Sequence, residues 1–133
     1  MYLFDTDTLS HVLKPARSSP LISRLAAIPP EHQFSTCITV GEMVYGAHKS
    51  NRAEVLLQQL EERLWPNLRI LPFDRRAAEI YGRLRADLER AGIPLAEPDL
   101  RIAAIALQHD LTLVTGNTRH FSRVPSLRVE NWI

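Results

Sequence analysis

Five side chains spread along the 133-residue chain have the types to do chemistry together: Asp5, Asp7, Glu42, Asp99 and the amide Asn117. Asp5 and Asp7 follow the apolar run Tyr2-Leu3-Phe4. Glu42 follows the apolar stretch Phe34 to Ile38, and Asn117 follows Leu111 to Val114. Each run is short and β-rich and ends in cap or turn residues, the pattern of a buried strand. In open α/β sheets ligands bind outside the carboxyl ends of the strands. The acids at 5 and 42 and the amide at 117 therefore belong on one sheet edge. Asp99 is placed by a helix whose first turn it occupies, after the loop Gly92-Ile-Pro-Leu-Ala-Glu-Pro98. Six or seven extended residues reach roughly 20 Å, enough to bring that helix back to the same edge.

Carboxylates gathered on one edge repel one another unless a hard cation stands between them. The chain offers no Cys/His spacing for zinc. Oxygen donors of this kind suit Mg²⁺, with Mn²⁺ the alternative. Such a site produces a hydroxide nucleophile and stabilises an in-line phosphoryl displacement. Thr6, Thr39 and Thr115 adjoin the acids and carry the donors to orient a carboxylate or a bound water. Each feature also has an ordinary structural explanation. Asp5 and Asp7 have the chemistry of helix caps. Thr39-Val-Gly-Glu42 is a capping-box pattern, in which Glu42 satisfies a backbone N–H. Asp99 complements a helix dipole, and Gly116-Asn117 is turn chemistry. What points to a site is their convergence.

Other chemistries find no support. There is no G-x-S-x-G nucleophile elbow, no G-x-G-x-x-G and no P-loop. The lone Cys37 sits in the stretch read as a strand and is expected in the core. His11, His32, His48 and His109 carry no ligand spacing and are expected at the surface or at caps.

The elements that must carry these residues alternate between strand and helix. Tyr2–Phe4 reads as a strand. Thr6–Leu13 reads as a short helix capped by Thr6 or Asp7 and stopped before Pro15. Leu21–Ala27 is a second helix, opened by Ser19-Pro20 and ended by Pro29-Pro30. Phe34–Ile38 is a strand, and a helix from Thr39 runs to about His48. Arg52–Leu64 is amphipathic, with Val55, Leu56, Leu60 and Leu64 on one face, and is broken by Pro66-Asn67. Leu68–Leu71 is a strand, and Asp74 caps a long helix to about Ala91. The Asp99 helix comes next, with Pro98 at its start and a small-residue face of Ile102, Ala103, Ala106 and Leu107. Leu111–Val114 is a strand, Thr118–Ser122 a helical turn, and Leu127–Val129 a last strand. This alternation predicts an α/β fold, a central parallel sheet with helices on both faces. Residues 1–133 read as one domain, without repeat or linker.

Composition bounds the compartment and the partners. No apolar run approaches the roughly 20 residues that span a bilayer, no signal peptide is evident, and one cysteine forms no internal disulfide. A cytoplasmic protein without a membrane partner is expected. The 16 basic residues include only Lys14 and Lys49 as lysines, so the net charge of +1 conceals an arginine-rich surface. Arginine favours bidentate phosphate contact. If Asp5, Glu42 and Asp99 face cations, the remaining surface is net basic and suits a polyanionic partner.

Four segments, in order, resemble the PIN-domain ribonucleases, specifically the VapC-type toxins of bacterial toxin–antitoxin systems. They are Leu3-Phe-Asp5-Thr-Asp7, Ile38-Thr-Val-Gly-Glu42-Met-Val-Tyr-Gly46-Ala47, Gly92-Ile-Pro94-Leu-Ala-Glu-Pro-Asp99 and Leu113-Val-Thr115-Gly-Asn117-Thr-Arg119-His-Phe121. Pro72-Phe73-Asp74 and the ending Arg128-Val-Glu-Asn-Trp132 also look like the family, so the likeness spans nearly the whole chain. The resemblance implies a three-layer α/β/α sandwich and Mg²⁺- or Mn²⁺-dependent endonucleolytic cleavage of RNA, with tRNA the first substrate to test. It assigns Asp5 and Asp99 as metal ligands, Glu42 as completing the shell or activating the nucleophile, and Asn117 to a fourth position where many members carry an acid. It also implies a cognate VapB-type antitoxin that covers the acidic site, and a homodimer. Two positions depart from the family pattern: Asp7, often Asn, and His120, commonly Glu and expected here to be an exposed imidazole. The amide at Asn117 and the imidazole at His120, both departures from an all-acid site, leave a catalytically weak module that binds RNA or protein to weigh, and a metal nuclease directed at DNA is the other alternative.

Overall fold

The computed structural model describes residues 1–14 and 19–133, with Ser19 described by its backbone alone. Five short strands, β1 (Tyr2–Phe4), β2 (Gln33–Thr36), β3 (Arg69–Leu71), β4 (Thr112–Val114) and β5 (Val129–Glu130), join in the order β3-β2-β1-β4-β5. Every neighbouring pair is parallel. Parallel pairing needs crossovers, and helices supply them: α1 (Thr6–Leu13), α2 (Ser19–Ala27), α3 (Cys37–Lys49), α4 (Ala53–Gln59), α5 (Arg75–Arg90), α6 (Glu97–Gln108) and α7 (Thr118–Phe121). The expected stop before Pro15 lies outside the described residues, although α1 ends at Leu13 as read. No helix among the described residues is long and apolar enough to cross a membrane.

Register sets the two faces of the sheet. Leu3 pairs with Phe34 on one side and Leu113 on the other, and all three pack with Leu84 and Leu88 of α5 and Ile102, Ala103, Ile105 and Ala106 of α6. The next residues along, Phe4 and Val114, point the opposite way, because successive strand side chains alternate. They meet Leu9 of α1, Leu21 of α2, and Leu60, Leu64 and Trp132. The result is the expected α/β/α sandwich. Phe4 is fully buried, and the Trp132 ring stands edge-on to it with centroids 5.4 Å apart. Burying a side chain of that size contributes roughly 1.5–3 kcal/mol.

Several boundaries differ from the sequence-based expectation by a residue or two, and three differences matter for packing. The second strand stops at Thr36, not Ile38, because the Thr36 hydroxyl accepts from Thr39 N at 3.1 Å and starts α3 at Cys37. Cys37 is therefore an exposed first-turn residue and not a core one. The amphipathic stretch to Leu64 is α-helical only through Gln59. A wider π turn, Leu60–Leu64, and a 3-10 turn, Trp65–Asn67, complete it. Pro66 has no N–H to donate to Glu62, and the wider turn keeps Leu60 and Leu64 both buried. The final strand is Val129–Glu130, later than Leu127.

The two ends of α5 fix how the chain reaches α6. Asp74 caps the start of α5 by accepting from Ala77 N at 3.0 Å. At the far end Gly92 takes φ +74°, with Ile93 N donating to Leu88 O (3.0 Å) and Gly92 N to Glu89 O (3.1 Å). This Schellman closure turns the chain back so that α6 enters beside α5.

Candidate active site

β1 lies at the centre of the sheet, with β2 on one side and β4 on the other. The connection from β1 runs one way, while β4 lies the other way. The carboxyl ends of β1 and β4 therefore flank the switch point where α/β sheets bind ligands. Asp5 is the first residue past β1, and Thr115-Gly116-Asn117 are the first past β4.

Asp5 is 5% exposed and caps α1 itself, its Oδ1 accepting from Thr8 N at 2.9 Å. The cap expected of Thr6 or Asp7 falls to Asp5, because Asp5 keeps the extended backbone of a cap (φ −83°, ψ 176°) while Thr6 and Asp7 already lie inside α1. Thr8 turns its hydroxyl the other way, donating to Val114 O at 2.9 Å and tying α1 to β4. Burial pushes the Asp5 carboxyl above the usual carboxylate range. The Thr115 hydroxyl and the Thr8 N–H and hydroxyl offset part of that rise, and the Asp7 charge adds to it.

Glu42 lies past the first turn of α3 and takes no part in a capping box. The Thr6 hydroxyl donates to Glu42 Oε1 at 2.6 Å. Thr39 Oγ1 stands 3.2 Å from Thr6 Oγ1 and 3.4 Å from Thr36 Oγ1. Thr36 and Thr39 are fully buried, so the bond that fixes Glu42 is backed by a hydroxyl row.

Asp99 stands in the first turn of α6, as expected, and is half-buried with its Oδ2 3.2 Å from His120 Nε2. His120 is thus a partner of Asp99 rather than an exposed imidazole. The short α7, which starts two residues before it, swings it onto the α6 N-terminus. Burial raises the Asp99 carboxyl, Glu42's charge adds to the rise, and His120 opposes it. Asn117 donates its backbone N–H to Thr115 Oγ1 at 3.0 Å, and its side chain does not cap α7.

Asp5, Asp7, Glu42, Asp99 and Asn117 line one cleft of about 630 Å³, together with Thr6, Ser10, Ile102, Gly116 and Phe121. A Cβ at Gly116 would fall 2.3 Å from Asp7 Oδ2 and 3.0 Å from Ile133 Cδ1, both side-chain ends, so a larger residue there would displace the Asp7 carboxylate. Of the apolar wall, Ile102 reads in sequence only as a packing residue of its helix and Phe121 only as part of a matched segment, and sequence places neither of them, nor Ser10, in the cleft. Ser10 stands one turn after Thr6, which is the signal that would have found it. The wall carries no local signal.

Whether these residues fit a divalent ion is decided by their chemistry. Among the described residues no three His, Cys, Asp or Glu side chains close into a ready cage for a metal. Glu42 and Asp99 are instead held by Thr6 and His120. Mg²⁺ does not ask for such a cage, since it binds through one or two carboxylates and keeps several waters. The acids of the cleft are hard oxygen donors, and burial raises two of them, Asp5 and Asp99. The set fits Mg²⁺ or Mn²⁺.

Residues 2–127 match the PIN domain family model. The chain is 36% identical over 132 residues to Ribonuclease VapC2 of Haemophilus influenzae, covering 99% of this chain and 98% of that protein. It is 40% identical over 95 residues, 71% of each chain, to the tRNA(fMet)-specific endonuclease VapC of Salmonella typhimurium. Among solved structures it superposes on DNA-bound VapBC from Salmonella typhimurium with TM-score 0.92 and 32% identity, over 99% of this chain and 98% of that one.

Proposed function

We propose, proceeding from the fact that the chain belongs to the PIN-domain family and groups with its VapC ribonucleases, that it is a toxin: a Mg²⁺- or Mn²⁺-dependent endoribonuclease neutralised by a cognate antitoxin. The observation that carries the reading is the convergence of Asp5, Glu42 and Asp99, from three separate elements, on one cleft at the switch point of the sheet. Asp5 and Asp99 would hold the ion, and Glu42 would complete its shell directly or through water. When bound, such an ion offsets the charge of an in-line phosphoryl displacement and acidifies water.

The chain's own groups do the rest. Thr6 fixes Oε1 of Glu42, leaving Oε2 to take the proton of the attacking water. The water oxygen forms the new bond to phosphorus as the P–O bond to the ribose oxygen on the opposite side breaks, and that oxygen takes a proton from solvent. Asn117, at the mouth, offers an amide to a phosphate oxygen without adding a negative charge. The apolar wall of Ile102 and Phe121 limits water around the reacting phosphate.

RNA is the substrate class, and tRNA is the first to test because a relative is named as a tRNA(fMet)-specific endonuclease. The antitoxin is inferred from similarity to solved VapBC complexes. Inducing the chain in a bacterial host tests this directly. Growth should stop, full-length tRNA should give way to fragments, and co-expression of the neighbouring antitoxin should reverse both. Unimpaired growth with intact RNA would contradict it.

A second reading has an observation in its favour. Glu42 and Asp99 are both engaged by protein donors, as they would be in a PIN fold that binds RNA or protein without cutting. RNA bound but left intact with every divalent ion tried would select that reading. Cleavage confined to single-stranded DNA would select a DNA-directed nuclease.

A further inference from the structure

An acidic cleft does not by itself hold a polyanion, so affinity for nucleic acid must come from groups beside it. The best placed of these is on α3. Glu42, Tyr45 and Lys49 stand at i, i+3 and i+7 and share one face of that helix. At about 1.5 Å per residue, Tyr45 lies roughly 4.5 Å and Lys49 roughly 10.5 Å along the axis from Glu42. Tyr45 is 64% exposed, and among the described residues it is the one aromatic side chain in the exposed class. The others are engaged: Tyr2 and Phe4 pack on Trp132, and Phe73 packs on Tyr81. Tyr45 stands one turn beyond Glu42 and presents its ring to solvent. Gly41, one turn before Tyr45, carries no side chain, and a Cβ there would meet nothing within 4 Å, so the surface of α3 beside the ring is open. On the far side Lys49 Nζ stands 5.7 Å from the ring centroid.

We infer that Tyr45 is a stacking platform for an unpaired base of single-stranded RNA, next to the phosphate that enters the acidic cleft, with Lys49 on the backbone phosphate beyond. The inference rests on the ribonuclease reading and names the feature of the RNA that the site takes. Proteins read single-stranded RNA by splaying bases onto aromatic rings, and stacking tolerates any sequence because every base presents a π-face. Cations beside such rings fix the strand through its phosphates. A base in a duplex is already stacked and gains nothing from the ring.

The test is fluorescence anisotropy with a labelled 12-nucleotide single-stranded RNA and a blunt RNA duplex of the same length, in EDTA so that neither is cut. It is paired with kcat and KM on a cleaved RNA in Mg²⁺. Tyr45→Ala should weaken single-strand binding about tenfold, the scale of one base–aromatic stack, and raise KM with kcat little changed. Tyr45→Trp should bind as well as wild type or better, and duplex affinity should be the same in all three. Lys49→Ala should lower the salt slope of log affinity by about 1, the loss of one phosphate contact. Wild-type affinity for single strands in Tyr45→Ala, or equal losses for single strand and duplex, would overturn the platform. So would light scattering that shows a dimer dissociated by Tyr45→Ala, which would assign the ring to an interface between copies. If wild type neither binds nor cuts RNA, the ribonuclease reading falls and takes the platform with it. If wild type cuts RNA and Tyr45→Ala cuts it with unchanged KM, only the platform fails.

Discussion

The Thr6 hydroxyl donates to Glu42 Oε1 across 2.6 Å, so the first turn of α1 holds the carboxylate that α3 delivers. Thr6 comes directly after Asp5. Two consecutive residues at the end of β1 thus serve two of the three acids, one by its own carboxylate and one through its neighbour's hydroxyl. Removing that hydroxyl while keeping the shape, in Thr6→Val, should lower cleavage by about tenfold or more, in the range that lost outer-shell partners cost. Thr6→Ser should restore most of it. Steady-state rates on one RNA check this, and a Thr6→Ser variant as impaired as Thr6→Val would contradict it.

Asp5 exchanges stability for function. Its carboxyl is raised in the folded chain, mainly by burial, so the folded state binds the proton more readily than the unfolded state. Stability then falls as pH rises from the unfolded carboxylate range through the folded value. Asp5→Asn keeps an oxygen for Thr8 N–H and removes the charge. In EDTA the variant should melt a few degrees above wild type near pH 7, with the gap closing in acid, where wild-type Asp5 is protonated. Added Mg²⁺ should raise the melting temperature of wild type more than that of the variant. Thermal melts across pH, with and without Mg²⁺, read both effects.

His120 opposes the rise of Asp99, whose carboxyl is pushed up by burial and by the charge of Glu42. In His120→Ala that opposition is gone, and Asp99 needs a higher pH to ionise. The acid limb of the pH–rate profile should therefore move to higher pH, and excess Mg²⁺ should move it part of the way back, because metal binding competes with protons for a carboxylate. A profile of unchanged position would mean that the imidazole has no hold on Asp99.

Gly116 and Asp7 form a coupled pair, since a Cβ at 116 would meet Asp7 Oδ2 at 2.3 Å. Asp7 is exposed and can swing clear, so Gly116→Ala should leave the fold intact and displace that carboxylate. Asp7→Asn should lower cleavage far less than Asp5→Asn. Gly116→Ala combined with Asp7→Asn should lose no more than the worse single variant, the mark of shared function. A simple product of the two losses would separate them.

Much of the fold and of the cleft was legible in the sequence. The run Tyr2–Phe4 into Asp5, and Leu111–Val114 into Thr115-Gly116-Asn117, both read as strands that deliver polar groups to one edge, and both do. The Asp74 cap and the Pro98 start of α6 were equally plain. What misled was local pattern with two valid uses. Thr39-x-x-Glu42 is a capping box in form, but Thr36, three residues before Thr39, takes the cap because the buried strand ends there. The same shift put Cys37 on the surface. Asp5, Thr6 and Asp7 are all competent caps, and only the third dimension chose Asp5. The pairing of His120 with Asp99 spans 21 positions and depends on how α7 turns after β4, which no local rule encodes.

The central claim is that Asp5, Glu42 and Asp99 form one divalent-ion site that cuts RNA. Cleavage of purified RNA by the purified chain, in Mg²⁺ or Mn²⁺ and again in EDTA, with Asp5→Asn and Asp99→Asn alongside wild type, tests it most directly. Wild type should cut only with the metal, and each variant should be inactive at the metal concentration that saturates wild type. Cleavage in EDTA, or a variant as active as wild type, would contradict it.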